Sequence, residues 1–404
     1  MTIIQKMNLK NIDKSNWQSF KFQEIAYRIS ETVDPNTTEL DVYIGLEHID
    51  GENIHIKRFG IPADVSGGKL KCYPGDVIFG KRRAYQRKAA IVDFEGICSA
   101  HAFVFRANLE VIEPKLFPFF LHSDQFMDRA VDISVGGLSP TINWGDLKDQ
   151  EFLLPPKEEQ AKLAELLWAM DEVIEREKEV LGRLQEGLSV KSSDLIWNSK
   201  HEMQPLISFA EKSIGKFVDG DWIESKDQSE EGIRLLQLAD IGIGEFINKS
   251  RRFISQDTFK RLRCFEVLPG DVLIARMPDP IGRACIVEDI GSKMITAVDC
   301  CIARVDSNHS SAKYLLYLLN SFKFLHKANL FASGTTRQRI ARKSLEEIVV
   351  PFPNLNTQLE IVEKLDILGN CILVIKNKIS SSQSLQKSLI NQVFSSSVNT
   401  SADK

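Results

Sequence analysis

The sequence predicts a mixed α/β protein built as a tandem duplication: two similar globular domains, each followed by a long helix, with the two helices pairing. Three observations carry that prediction. Two long apolar-periodic runs, one near the middle of the chain and one at its end, open in the same way. The stretches upstream of them match each other at a nearly constant offset. Between the runs, short β-branched and aromatic segments alternate with glycine and proline turns, as in mixed α/β domains.

The two runs span Leu154 to Trp197 and Phe352 to Phe394. Each starts at a proline-bounded entry, Pro155-Pro156 and Pro351/Pro353, followed by Gln160 and Gln358. Proline is tolerated at a helix start because the N–H it lacks has no intrahelical partner there. The first run carries Leu167, Met170, Ile174, Leu181, Leu184 and Leu188, with Glu177 at the skipped position of the heptad rhythm. The second carries Leu365, Leu368, Ile372, Ile375 and Ile379. Steps of three and four put one apolar stripe on each helix and favour a helical partner. Alone, either stripe reads as an ordinary core helix; two in one chain make each the simplest partner of the other. Gly182, Gly187, Gly369 and the serines at 380–382 are expected weak points, since a helical glycine costs about 1 kcal/mol relative to alanine.

The duplication is read from offsets. Gly334, Ile340, Leu345, Pro353 and Gln358 each lie 198 residues after Gly136, Ile142, Leu147, Pro155 and Gln160, and Arg304 lies 198 after Arg106. The tetrapeptide PGDV recurs at Pro74–Val77 and Pro269–Val272, and the stretch 44–50 resembles 236–242. Two copies are too few for a solenoid, which needs about three or more. The predicted segments are domains at 1–153 and 201–352 and helices at 154–200 and 353–404.

In the first domain the expected elements are a strand entry and short helix from Trp17, strands at Val42–Ile49 and Ile54–Phe59, and further strands after Asp76, at Ala89–Val92 and at Ala102–Phe105. A helix over Pro114–Asp128 follows, then a loop at Gly136-Gly137 and a lead-in over Ile142–Leu154. The second domain repeats the plan, with strands at Ile233–Leu238, Val272–Ala275, Ala284–Val287 and Ile302–Val305, a helix over Ala312–Leu325 and a loop at Gly334.

The 404 residues have a formal net charge of −4. That argues weakly against a nucleic-acid partner, but distribution matters more than the sum. The central helix holds much of the acid and the domains hold basic clusters. No run of about 18 apolar residues marks a membrane span, and Met1 to Lys10 lack the apolar core of a signal peptide. Seven cysteines without framework spacing point to reduced thiols and a cytoplasmic protein. No CxxC pair accompanies the scattered histidines, so a zinc site is not expected.

Two loops per domain carry the candidate chemistry. Residues 80–90, GKRRAYQRKAA, offer Lys81, Arg82, Arg83, Tyr85, Gln86, Arg87 and Lys88; the thinner counterpart offers Arg276 and Arg283. The glycine loops offer Ser139, Thr141 and Asn143 in one domain and Thr335, Thr336, Arg337, Gln338, Arg339 and Arg342 in the other. Arginine grips phosphate or the O6/N7 edge of guanine at two points, and glutamine can do the same for adenine. A solvated charged loop and neutral loop drift are the bland readings of the same residues. Catalytic signatures are missing: no GxxxxGK[ST], GxSxG or HExxH, and no Asn/Asp-Pro-Pro-aromatic tetrapeptide. The acidic-x-Lys triplets Asp146-Leu147-Lys148 and Glu224-Ser225-Lys226 lack an upstream acidic partner. A self-contained nuclease or methyltransferase, and a helix-dimerising protein-interaction adaptor, stand as the alternatives to a DNA reader.

On the two PGDV turns, the glycine loops and the Pro…Gln helix entries, nearly the whole chain resembles the DNA-specificity subunit of Type I restriction–modification enzymes. The C-terminal entry departs mildly, with Thr357-Gln358 where Glu159-Gln160 stands. The resemblance implies two target-recognition domains, each reading half of a split DNA site. It implies helices that pack antiparallel, with pseudo-two-fold symmetry, as a spacer. A helix of about 40 residues would be on the order of 60 Å long. The resemblance further implies that the chain does no chemistry and binds no cofactor. Two methyltransferase subunits would supply S-adenosylmethionine, and optional restriction subunits would use ATP and Mg²⁺.

Overall fold

A computed structural model describes residues 13–198, 200–210, 217–335 and 337–395. The chain forms two compact units, one of residues 1–178 with 377–404 and the other of residues 179–376. This division does not follow the four segments expected from the sequence, because its boundary falls inside both long helices.

In the first unit an antiparallel sheet runs in the order Ala26–Ile29, Ala102–Ala107, Val77–Gly80, Ala89–Ile91. Its counterpart in the second unit runs Phe217–Asp219, Cys300–Ala303, Val272–Ala275, Ala284–Ile286. These apolar runs are buried on both faces, between the helices on one side and a second four-stranded sheet on the other. The second sheets share a parallel pair, Tyr43–Ile44 on Gly96–Cys98 and Ile233–Leu236 on Met294–Thr296. They grow from opposite sides of that pair: Lys69–Cys72 joins the later strand in the first unit, whereas Phe253–Ile254 joins the earlier one in the second.

The same buried side chains hold both frames together, at the offsets read from the sequence. Asp76 receives Arg106 Nε at 2.7 Å and the Tyr73 N–H at 3.0 Å; Asp271 receives Arg304 Nε and the Leu268 N–H, both at 2.8 Å. Gln160 donates to the carbonyls of Pro155 and Val111 and accepts the Glu113 N–H, while Gln358 does the same with Pro353, His309 and Ser311. Both glutamines are buried. Each ties a helix start to its domain, since an unpaired amide there would cost about 1–3 kcal/mol per group.

The central helix spans Lys157–Ser192 and continues as a π turn over Ser193–Trp197; the C-terminal helix spans Leu355–Phe394. Both run unbroken through their glycines. At Gly369 a Cβ would meet Tyr317 Oη, the far end of a side chain, at 2.9 Å. Within the first unit the helices are antiparallel. Gln386 donates to the Leu167 carbonyl at 3.2 Å, and Lys378 pairs with Glu177 at 3.1 Å, so rising numbers on one helix meet falling numbers on the other. Within the second unit Leu188 and Ile196 share a core with Ile361, Val362 and Leu365. Leu167, Ile174, Leu365 and Ile379 are buried, and Met170, Leu181, Leu184, Leu368, Ile372 and Ile375 half-buried. A seam between only two helices leaves its flanks open to solvent.

Several expected elements differ. The helix expected over Pro114–Asp128 is two, Phe117–Leu121 and Asp124–Asp132. It breaks at Ser123, whose hydroxyl accepts the Phe126 N–H and donates to the Phe120 carbonyl. Ser321 divides the second domain's helix into Ala312–Leu319 and Phe322–Leu330. Of the expected strands at 42–49 and 54–59, only Tyr43–Ile44 is laddered. The chain at 54–59 is drawn instead to the central helix, where His55 and Lys57 pair with Asp171 and Glu175. The lead-in over Ile142–Leu154 holds a short helix, Trp144–Leu147, and a strand, Glu151–Leu154, paired with Gln18–Lys21.

Candidate nucleic-acid interface

In each unit the two candidate loops meet. The Ile142 N–H donates to the Lys81 carbonyl at 2.9 Å, and the Ile340 N–H donates to the Arg276 carbonyl at 3.0 Å. The glycine loop is closed by paired hydrogen bonds, Val135 with Thr141 and Ser333 with Arg339. Gly136 and Gly334 open these loops at φ of 117° and 104°, backbone that a β-carbon disfavours.

The first unit's basic loop turns some cations inward and others outward. A short turn over Ala84–Gln86 is flanked by Arg83 and Arg87, both left-handed, at φ of 56° and 52°. Arg87 Nη2 donates to the His122 carbonyl at 3.0 Å and to Asp124 at 2.6 Å, and its Nε faces Glu52 at 3.1 Å. Lys88 Nζ donates to the Leu46 carbonyl. Lys81 is half-buried over the Phe103 ring, which it shares with Arg28; burial, aided by Arg28, holds its ammonium below the usual lysine range. Arg82, Arg83, Tyr85 and Gln86 are exposed. Arg82 Nε and Arg83 Nε both donate to Ser139 Oγ, at 2.7 and 3.1 Å, and the Arg83 N–H donates to the Pro140 carbonyl at 2.7 Å. Thr141 is half-buried, and exposed Asn143 donates to Asp146. Beside them Leu138 is 99% exposed.

The second unit arranges its counterpart differently. Arg283 donates to four carbonyls, those of Ile241, Leu238, Met277 and Pro280. It stands where Lys88 stands, since Leu238 is the counterpart of Leu46. Arg276 donates to the carbonyls of Ile340 and Val298 and pairs with Asp219. Burial pushes both guanidiniums below the usual arginine range. Arg342 pairs with Asp219 and Glu346 and donates to the Phe217 carbonyl. Arg339 donates to the Val298 carbonyl at 2.7 Å and faces Asp299. Thr335, Arg337 and Gln338 are exposed; Thr336 lies outside the described residues.

The sequence grouped Arg87, Lys88, Arg276, Arg283 and Arg342 with the DNA-contacting cations. In the structure their donors engage internal carbonyls and carboxylates. Three features were missed. Arg28 joins Lys81 on Phe103 from a strand with no basic pattern. Leu138 is an apolar tip in a polar loop. Lys249, Arg251 and Arg252 are exposed in the second unit, and that basic run was readable.

Among the described residues no cluster of His, Cys, Asp and Glu could hold a metal ion, and no helix is long and apolar enough to cross a membrane. Burial pushes the Cys285 and Cys300 thiols up to about 12, so neither is a thiolate nucleophile near neutral pH.

The model of the Type I restriction modification DNA specificity domain matches residues 65–186 and 211–381, one match in each half of the duplication. A putative Type I restriction enzyme MjaX specificity subunit of Methanocaldococcus jannaschii is 23% identical over 402 residues, covering 87% of this chain and 86% of that one. The MjaVIII specificity subunit of the same organism is 23% identical over 266 residues, a match spanning 61% of each protein. Among solved structures, a chain from work on complex assembly and conformational transition of the type I R-M system aligns with TM-score 0.55 and 22% identity, covering 94% of this chain and 98% of that one. The type I S subunit from M. genitalium aligns with TM-score 0.52 and 14% identity, covering 95% and 98%.

Proposed function

The chain belongs to the family of Type I restriction modification DNA specificity domains, and from that premise we propose that it is a non-catalytic DNA specificity subunit whose two units each read one half of a bipartite target. The observation that carries this reading is the pairing of loops. In each unit a basic or polar glycine loop is hydrogen-bonded to the loop between two strands of the core sheet, at the same place in the fold but with different exposed side chains. That is the arrangement two readers of unlike sequences need: one frame, two sets of tips. Base edges in the major groove discriminate all four base pairs, so a few exposed side chains per loop suffice.

The partners are double-stranded DNA and methyltransferase subunits. The stoichiometry we propose is two methyltransferase subunits, which supply S-adenosylmethionine; restriction subunits, where present, bring ATP and Mg²⁺. The two helices would set the spacing between half-sites.

The test is a loop exchange in the full chain, replacing residues 136–143 by 334–341 or the reverse, followed by mapping of methylated adenines. The expected outcome is a change in one half-site only. A change in both half-sites, or in neither, contradicts the loop assignment. The purified chain with Mg²⁺ and S-adenosylmethionine is expected neither to cleave nor to methylate DNA by itself; either activity would favour a self-contained enzyme.

A further inference from the structure

A basic loop that only grips phosphate needs charge near the duplex and little orientation. The loop at 81–88 is oriented well beyond that need. Its C-terminal end is fixed by Arg87 and Lys88, and its N-terminal side is hydrogen-bonded to the glycine loop through Lys81 and Arg83. Its turn is bounded by two non-glycine residues in the left-handed region, conformations that persist only where the surroundings over-determine them. The two outward guanidiniums are then held by one atom. Arg82 Nε and Arg83 Nε both donate to Ser139 Oγ, and a hydroxyl oxygen has two acceptor sites. With Nε engaged, each arginine keeps its two terminal nitrogens as a planar fork, and that fork matches the O6/N7 edge of guanine.

Resting on the specificity-subunit reading, we infer that Arg82 and Arg83 are specificity-determining residues of the first unit, that they read guanine in the major groove, and that Ser139 is the positioning residue that aims them. The second unit cannot use this device. Met277 and Pro278 stand at the counterparts of Arg82 and Arg83 (195 residues on), and Arg337 stands at the counterpart of Ser139 (198 residues on). Of its two candidate loops, the exposed guanidinium is that of Arg337, on the opposite loop, so the two half-sites are read with the cation on different arms.

The experiment selects binding sites from a random duplex pool with the full chain assembled with methyltransferase, then measures affinity against salt for the selected and a scrambled duplex. The expected wild-type result is a half-site containing guanine, weakened by 7-deazaguanine, which removes N7. The double variant Arg82→Lys, Arg83→Lys keeps both charges and loses the forks. It is expected to lose about 10- to 100-fold in preference for that guanine while keeping its salt slope. Ser139→Ala is expected to relax the same position with scrambled-duplex affinity unchanged, and Ser139→Thr, which restores the acceptor, to recover it. If the lysine variant relaxes guanine but Ser139→Ala does not, the positioning role fails and the arginine assignment stands. If the lysine variant keeps full preference and an alanine pair only lowers the salt slope, the arginines are phosphate contacts and the inference is overturned with DNA specificity intact. Failure of the wild-type assembly to select any sequence overturns both this inference and the proposed function.

Discussion

The two units solve one folding problem with the same internal bonds and present different surfaces. Arg106 on Asp76 repeats as Arg304 on Asp271; Gln160 repeats as Gln358; Lys88 on the Leu46 carbonyl repeats as Arg283 on the Leu238 carbonyl. The residues at the loop tips do not repeat: Arg82, Arg83 and Ser139 stand opposite Met277, Pro278 and Arg337. Tips are free to differ because their loops are fixed from behind. A charged side chain buried against carbonyls holds a loop without using its outer face, so the outer face can change at little cost to the fold.

The sharpest way to break this comparison is to remove a repeated bond in each unit. Asp271 is buried, and Arg304 beside it is largely buried too. Asp271→Ala is expected to destabilise the second unit by about 3–5 kcal/mol, because it takes the carboxylate from a shielded guanidinium that keeps the neutral Glu266 carbonyl, and it strands the Leu268 N–H. Asp76 is equally buried, but Arg106 is 47% exposed; Asp76→Ala is expected to cost less, about 2 kcal/mol, since solvent takes over the guanidinium and mainly the Tyr73 N–H is stranded. Urea unfolding followed by hydrogen exchange in each unit measures both; equal losses would contradict the screening argument.

A second test uses a bond repeated with different chemistry. His122 Nε2 donates to the Ala89 carbonyl at 2.7 Å; its counterpart Asn320 donates to the Ala284 carbonyl and accepts the Ala284 N–H, each at 3.0 Å. Burial pushes the His122 imidazole down to about 4, whereas Asn320 does not titrate. Between that value and the unfolded value near 6.5 the unfolded chain binds more protons, so stability falls as pH falls. The first unit is expected to lose about 3 kcal/mol between pH 7.5 and pH 4 from this group. His122→Asn copies the second unit and should flatten that part of the pH profile; an unchanged slope would assign the acid sensitivity to carboxylates instead.

What could be read beforehand follows the same line. The offset of 198 residues exposed Gln160/Gln358 and Arg106/Arg304 as equivalents before any partner was known, because a duplicated bond duplicates its residues. The long helices were legible because their stripes are long. The facing of the cations was not: Arg82 and Arg87 look alike in sequence, and what separates them is a carbonyl at His122 and carboxylates at Glu52 and Asp124. Of the outer-sheet strands, Ile233–Leu236 falls where expected, whereas the strand expected at 42–49 shrinks to Tyr43–Ile44, because two residues carry no alternation. The break at Ser123 was missed although a serine three residues before its N–H donor is a helix-start signal, since the apolar pattern runs straight through it.

The smallest effect separates the two helices. Gly182 and Gly187 on the central helix have open space around the position a Cβ would take, whereas at Gly369 on the C-terminal helix that position lies 2.9 Å from Tyr317 Oη. Tyr317 donates to Asp366, at 2.9 Å, so its hydroxyl cannot retreat without losing that bond. Gly182→Ala and Gly187→Ala are each expected to stabilise by about 1 kcal/mol through helix propensity. Gly369→Ala has the same propensity gain, set against a displaced tyrosine and a hydrogen bond of about 1 kcal/mol, and is expected to come out near zero or below. Adding Tyr317→Phe removes the obstructing oxygen, and in that background Gly369→Ala should recover its stabilising sign. If Gly369→Ala stabilises the unaltered chain as much as Gly187→Ala does, the tyrosine does not account for the glycine.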